Sequence, residues 1–316
     1  MQGNRNRSCL FLLIIELPVA AMGHTALAST PYLGHSGEMA DQGVICVELY
    51  GVTLRLDGPP QLWPALRLHL PGWTAIEPQP CELSYVSNTR LHGGELLGYE
   101  VWRDDDRLVH RASEIATVAR ILAGEIHFEI ACRSIDYLFV HAGVVVWEGL
   151  AIVLPGRSMS GKSTLVTQLV RQGATYYSDE YAVFDDVGLV HSYERPLSIR
   201  ADDPTVTTLM WPDELTDRVG GPAVPVGLVA ALRFDPAAGW ETKELSSGPA
   251  ALAIVDNTVK ARDDAAKTMS IAAIVGGAKA IIGTRGDASE ASAKLLKMAS
   301  QLPLTTAHLL QADNSL

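Results

Sequence analysis

"DYLFVHAGVVVWEGLAIVLPGRSMSGKST", residues 136–164, holds two apolar runs separated by Glu148-Gly149 and ends in the pattern G-x-x-x-x-G-K-S. An x-Gly pair between such runs signals a two-residue hairpin, which sets Trp147 against Leu150 and Val146 against Ala151. Counting back along that register sets His141 against Gly156, so the hairpin delivers "HAG" (residues 141–143) to the mouth of the glycine-rich loop. "AIVLP" reads as a buried strand, and "KSTLVTQLVRQG" as a helix ending at Gly173. Strand, loop and helix in this order are the context in which G-x-x-x-x-G-K-S carries a mechanism.

The mechanism is a phosphate cradle. Glycines allow backbone geometry that side chains block, so successive N–H groups converge on phosphate oxygens, and the helix N-terminus adds its dipole. Gly156, Arg157, Ser158, Met159, Ser160, Gly161, Lys162, Ser163 and Thr164 are therefore expected to bind a nucleotide. Lys162 would reach the β- and γ-phosphates, and the Ser163 hydroxyl would hold Mg²⁺. "ATYYSDEYAVFDD" follows the helix, with Asp179 and Glu180 at or just past the carboxyl end of the next strand. A carboxylate there can anchor Mg²⁺, and a second can take a proton from an attacking hydroxyl. Asp179 is the expected metal contact as well as an acid/base candidate, with Glu180 beside it. Asp185 and Asp186 read as a hairpin tip. His141 is a candidate for phosphate contact or proton handling.

Before this core, "VICVELYGVTLRL" is strand-like and "PPQLWPALRLHL" a short helix opened by Pro. Further strands are expected at Leu83–Val86 and Gly98–Trp102, with "RDDDR" turning between Trp102 and Leu108. Apolar spacing from Glu114 to Ala131 predicts a helix broken or weakened near Gly124. After the core, "VGLVAALRFD" and "KAIIGTRG" read as strands, with a short strand between them near Glu241–Leu245. "GPAALAIVDNTVKARDDAAKTMSIAAIVGGAKA" and "ASEASAKLLKMASQL" read as helical. Arg200, Arg233 and Arg285 could each meet a transferring phosphate; Arg200 is the one favoured.

The chain has 316 residues, 47% of them hydrophobic and 19% charged, a globular composition. Its formal net charge of −11 argues against nucleic acid as a partner. A polyanionic nucleotide would have to be held by local donors, which puts weight on the loop amides, Lys162 and a bound cation. The four cysteines are far apart and read as reduced thiols rather than a zinc site or a disulfide framework. The first residues imitate a secretory signal, but Glu16 and Pro18 interrupt the apolar run. Residues 1–38 are therefore expected to be a disordered or over-called extension, with Met22 or Met39 as alternative starts. No stretch approaches the ~20 apolar residues of a membrane-spanning helix, so no membrane partner is expected. Three parts follow: the extension, a β-rich region at 39–134, and a nucleotide-binding domain at 135–316.

His141-Ala142-Gly143, Gly156–Ser163 and Ser178-Asp179-Glu180 together resemble the catalytic core of HPr kinase/phosphorylase. The spacings of 21 residues from His141 to Lys162 and 17 from Lys162 to Asp179 match that family's core. The resemblance implies a mixed, largely antiparallel sheet carrying a P-loop, shared with phosphoenolpyruvate carboxykinases, within an α/β (α+β) chain. It implies ATP and Mg²⁺ as cofactors, Asp179 as activator of an acceptor serine, and Glu180, His141 and Lys162 as its companions. The frame is also similar to HPr-kinase-like proteins that phosphorylate a serine on ribosomally made peptides. The implied partner is thus a protein or peptide substrate, HPr-like or a ribosomal peptide precursor, and the family's habit implies a homo-oligomer. In "PLSIR" Ser198 stands where the family has glutamate and Ala201 where it has glycine, which removes a Mg²⁺ ligand and disfavours the phosphorylase direction. The expected function is a cytoplasmic ATP- and Mg²⁺-dependent serine kinase. A nucleotide-binding regulatory or assembly protein without transfer, and a small-molecule kinase, remain as alternatives.

Overall fold

The computed structural model describes residues 43–70, 72–104, 106–156, 160–200, 207–259 and 264–303. The expected extension at 1–38, loop residues Arg157, Ser158 and Met159, and Ala201 lie outside them.

The first half builds a six-stranded sheet in the order β3-β1-β2-β4-β5-β6. Its strands are β1 (Val44–Leu49), β2 (Val52–Asp57), β3 (Thr74–Ile76), β4 (Leu83–His92), β5 (Glu95–Arg103) and β6 (Arg107–Ala112). Period-two burial along β2, where Val52, Leu54 and Leu56 point inward, covers one face with α1 (Leu62–His69) and α2 (Ile115–Arg133). The latter runs unbroken through Gly124, against expectation. A Cβ at Gly124 would meet nothing within 4 Å. That glycine costs helix propensity, roughly 1 kcal/mol against Ala, but packing of Val118, Leu122, Ile126 and Ile130 outweighs it.

The second half carries the loop. Its elements are β7 (Leu138–Trp147), β8 (Leu150–Pro155), α3 (Lys162–Arg171), β9 (Thr175–Ser178), β10 (Tyr181–Phe184) and β11 (Val190–His191). A two-stranded ribbon, β12 (Leu197–Arg200) with β13 (Thr207–Met210), and α4 (Pro212–Leu215) follow. Then come β14 (Val226–Phe234), β15 (Glu241–Leu245), α5 (Ser247–Val255), α6 (Asp264–Gly277), β16 (Lys279–Arg285) and α7 (Ala288–Ala299). The predicted long helical stretch after β15 is thus two helices, α5 and α6. The sheet order is β11-β10-β7-β8-β14-β16-β15, with β9 also paired to β7. Pairing is parallel between β8 and β14 and between β14 and β16, and antiparallel elsewhere in this sheet. The sheet is mixed and largely antiparallel.

The odd-numbered face of β7 explains where a site can form. Phe139 packs into the core of the first half, together with Tyr181, Val183 and Tyr193. Val145 packs under α3 and α7. His141 sits between these two contacts. Gly143 lets α3 come close, because a Cβ there would meet Val166 Cγ2 at 2.6 Å. On α3, Leu165, Val166, Leu169 and Val170 are buried, each contributing about 1.5–3 kcal/mol, and they fix the helix over β7 and β8. The opposite face of the sheet is covered by α5 and α6 through Ala250, Ile254 and Ile274.

Candidate functional site

The β7–β8 hairpin has the predicted register: Trp147 pairs with Leu150, and Ala142 with Pro155. Glu148 (φ 51°) and Gly149 (φ 81°) both occupy the left-handed region that a type I′ turn requires. Past Pro155 the Gly156 N–H still donates to His141 O at 3.2 Å, so the loop leaves the sheet beside His141.

The loop returns to the helix through Gly161, at φ 84°. A Cβ there would lie 2.4 Å from Arg285 Nη2. That guanidinium donates to Gly161 O at 2.8 Å and to Gly286 O at 3.0 Å, and lies over the Phe234 ring. Leu165 N–H closes the first turn of α3 on Gly161 O. The backbone amides before it therefore face out of the helix end. Arg285 is 2% exposed and holds the loop from behind. Burial lowers its pKa, against the pull of Asp287. The favoured Arg200 lies on β12, with its side chain outside the described residues, and Arg233 is a surface residue near Asp235.

The acidic pair follows β9. Ser178, fully buried, accepts from Glu180 N–H at 3.3 Å and Tyr181 N–H at 3.1 Å, which pins the turn between β9 and β10. Ala142 N–H donates to Glu180 O, tying the turn to β7 beside His141. Asp179 is buried at 8% exposure, whereas Glu180 is more open and is paired with Arg195. No pattern of spacing or motif singles out Arg195 in the chain. Tyr176 Oη fixes it by donating to Arg195 O at 2.7 Å. Burial opposes the Arg195 charge, but Glu180 and the tyrosines around it hold its pKa above the usual guanidinium range.

Lys162, the first residue of α3, is half-buried, and burial lowers its pKa while Asp179 and Glu180 pull it back up. His141 is pushed down by burial, then by Lys162 and Arg195, with Glu180 opposing. Electrostatics thus couple His141, Lys162, Asp179 and Glu180, together with Arg195. His141 Nδ1 and Ser160 Oγ are buried without a hydrogen-bond partner among the described residues. Ser163 is half-buried and Thr164 exposed, in the first turn of α3.

These groups suit a polyphosphate and its cation. A half-buried cation at the helix end, outward amides and an unsatisfied serine hydroxyl on the loop are donors for anionic oxygen. Among the described residues no three His, Cys, Asp or Glu side chains cluster as a metal site. Asp179 with the Ser163 hydroxyl would be an incomplete set of the kind Mg²⁺ uses when phosphate oxygens and water fill the remainder. Among the described residues no helix is long and apolar enough to cross a membrane.

No family profile and no curated protein matches the chain. Among solved structures it is similar to the HPr(Ser) kinase/phosphatase from Coxiella burnetii, at 12% identity and a TM-score of 0.31, over 55% of this chain and 98% of that one. A likeness at that TM-score decides neither fold nor activity.

Proposed function

We propose that the chain binds ATP with Mg²⁺ at the β8–α3 loop and transfers the γ-phosphoryl group to a serine hydroxyl of a protein or peptide. The observation that carries this reading is that β7 ties the two parts of the site together: His141 O accepts from Gly156 of the loop, and Ala142 N–H donates to Glu180 O beside buried Asp179. Lys162 and the loop amides bind the phosphates, and Ser163 and Asp179 hold the cation. Bound nucleotide supplies the electrophilic phosphorus, and the cation neutralises charge on its oxygens. Asp179 takes the proton from the acceptor hydroxyl. Glu180, held by Arg195, keeps the β9–β10 turn in place and adds negative potential. His141, depressed below its usual pKa, is neutral at pH 7 and lies beside the phosphates without adding charge.

The test is transfer from γ-labelled ATP with Mg²⁺, using HPr, free serine and any precursor peptide encoded beside the gene as acceptors. Label on a protein or peptide serine, lost in Asp179→Asn, supports the reading. Label on free serine alone makes the protein a small-molecule kinase. ATP binding with no label on any acceptor favours the regulatory alternative. Unchanged binding and turnover in Lys162→Ala would overturn the loop assignment.

A further inference from the structure

The proposed site has a direction. Relative to β8, Asp179 and Glu180 lie on the β7 side, because β9 and β10 both pair with β7. On the other side of β8 come β14 and then β16, running parallel to it. If the reacting end of a polyphosphate faces the acids, the other end runs past α3 toward the carboxyl ends of β14 and β16.

A cleft of about 410 Å³ opens there. That is within the range of pockets that hold small organic ligands. Its walls include Thr164 and Gln168 of α3, Phe234 at the end of β14 with Pro236 beyond it, and Asp287 and Ser289 after β16. Phe234 is 45% exposed, so part of its ring is open to the cleft. Arg285 also lines the cleft, and the same guanidinium braces Gly161, so cleft and phosphate loop share one buried anchor.

We propose that this cleft is the nucleoside subsite, with the base stacked on Phe234 and the sugar toward the α3 wall at Thr164 and Gln168. This rests on the phosphate-binding reading above and adds where the rest of the nucleotide lies. Arg285 is committed to two backbone carbonyls and to the ring, so it fixes Phe234 in place rather than reading the base. Stacking accepts any base, since each has a π-face.

Binding of Mg·ATP and of Mg·tripolyphosphate to the full chain, measured by calorimetry, separates the two ends. Phe234→Ala is expected to weaken ATP about ten-fold, the scale of one lost base stack, and to leave tripolyphosphate unchanged. Phe234→Trp restores ATP affinity. Ser289→Trp fills the cleft from the exposed first turn of α7 and gives the same selective loss without touching β14. Lys162→Ala loses both ligands. Thermal melts confirm that each variant is folded. Wild-type ATP affinity in both Phe234→Ala and Ser289→Trp, with Lys162→Ala still losing both ligands, overturns the subsite and leaves the phosphate site standing. Equal loss of ATP and tripolyphosphate in Phe234→Ala also overturns it, because Phe234 then acts on the loop through Arg285. Failure of the wild-type chain to bind either ligand overturns the phosphate site and this subsite together.

Discussion

The two flanks of β8 are built by different means. On the β7 flank, strands follow one another through tight turns, and tyrosine hydroxyls pin the backbone around the acids. Tyr50 donates to Ser192 O, Tyr176 to Arg195 O and Tyr177 to Pro222 O, each at 2.7 Å. On the β14 flank, β14 and β16 run parallel to β8 and are reached by long crossovers, β15 is antiparallel at the edge, and one arginine joins strand end, ring and loop. Several tyrosine hydroxyls and the Glu180–Arg195 pair share the work on the acidic flank, while one buried guanidinium ties the other together. The first spreads the risk over several residues, and the second concentrates it in one.

The sharpest break in that comparison is chemical. Asp179→Asn is expected to lower the rate of phosphoryl transfer by about 10²–10⁴-fold, the usual worth of a positioned base, while ATP affinity stays within a few-fold. Single-turnover transfer and equilibrium binding on the same preparation check it; full transfer would move the base elsewhere.

Arg285→Ala tests the other flank. Removing a buried charged donor leaves the Gly161 and Gly286 carbonyls short of a partner, at a cost of about 1–3 kcal/mol. Denaturant unfolding should show that loss, and an unchanged midpoint would mean the loop does not depend on this brace.

A smaller effect lies behind the acidic flank. His127 is buried between Tyr193 Oη and His69 O, and burial, then Arg195, push its pKa well below 6.5, with His69 O opposing. Below pH 6.5 the unfolded chain binds a proton that folded His127 refuses, so stability falls as pH drops. The slope approaches at most about 1.4 kcal/mol per pH unit for one such histidine, and His141 adds in the same direction. Unfolding at pH 7.5, 6.5 and 5.5 should show a shallower fall in His127→Asn than in the wild type; equal slopes would remove His127 from the account.

The smallest change belongs to neither flank. Gly124→Ala, in open space on α2, should stabilise by about 0.4–1 kcal/mol. A loss instead would mean that the helix needs its glycine.

What could be read from the residues was local. The Glu148-Gly149 turn fixed a register, and with it the position of His141 beside Gly156, because the side-chain period of two leaves no freedom once the turn is known. The acids were legible for another reason: they follow the apolar strand after the loop helix, and β9 does end at Ser178, just before them. Arg195 and Arg285 were not. Arg285 meets Gly161 across 124 residues, and no periodicity in the chain encodes that encounter. Its one signal was its place at the carboxyl end of an apolar strand, a property Arg233 almost shares, and Arg200 drew attention instead. Gly124 was misjudged because propensity was weighed without the packing that overrides it.

The left-handed turn at Glu148-Gly149 also sets an order of assembly. The hairpin it closes has the short loop of structures that form in about 1–10 μs, whereas pairing β8 with β14 must first gather about seventy intervening residues. The glycine-rich loop hangs from the early hairpin, but its brace arrives on the last strand of the sheet. Refolding should therefore protect the amides of β7 and β8 from exchange before the chain can bind a phosphate.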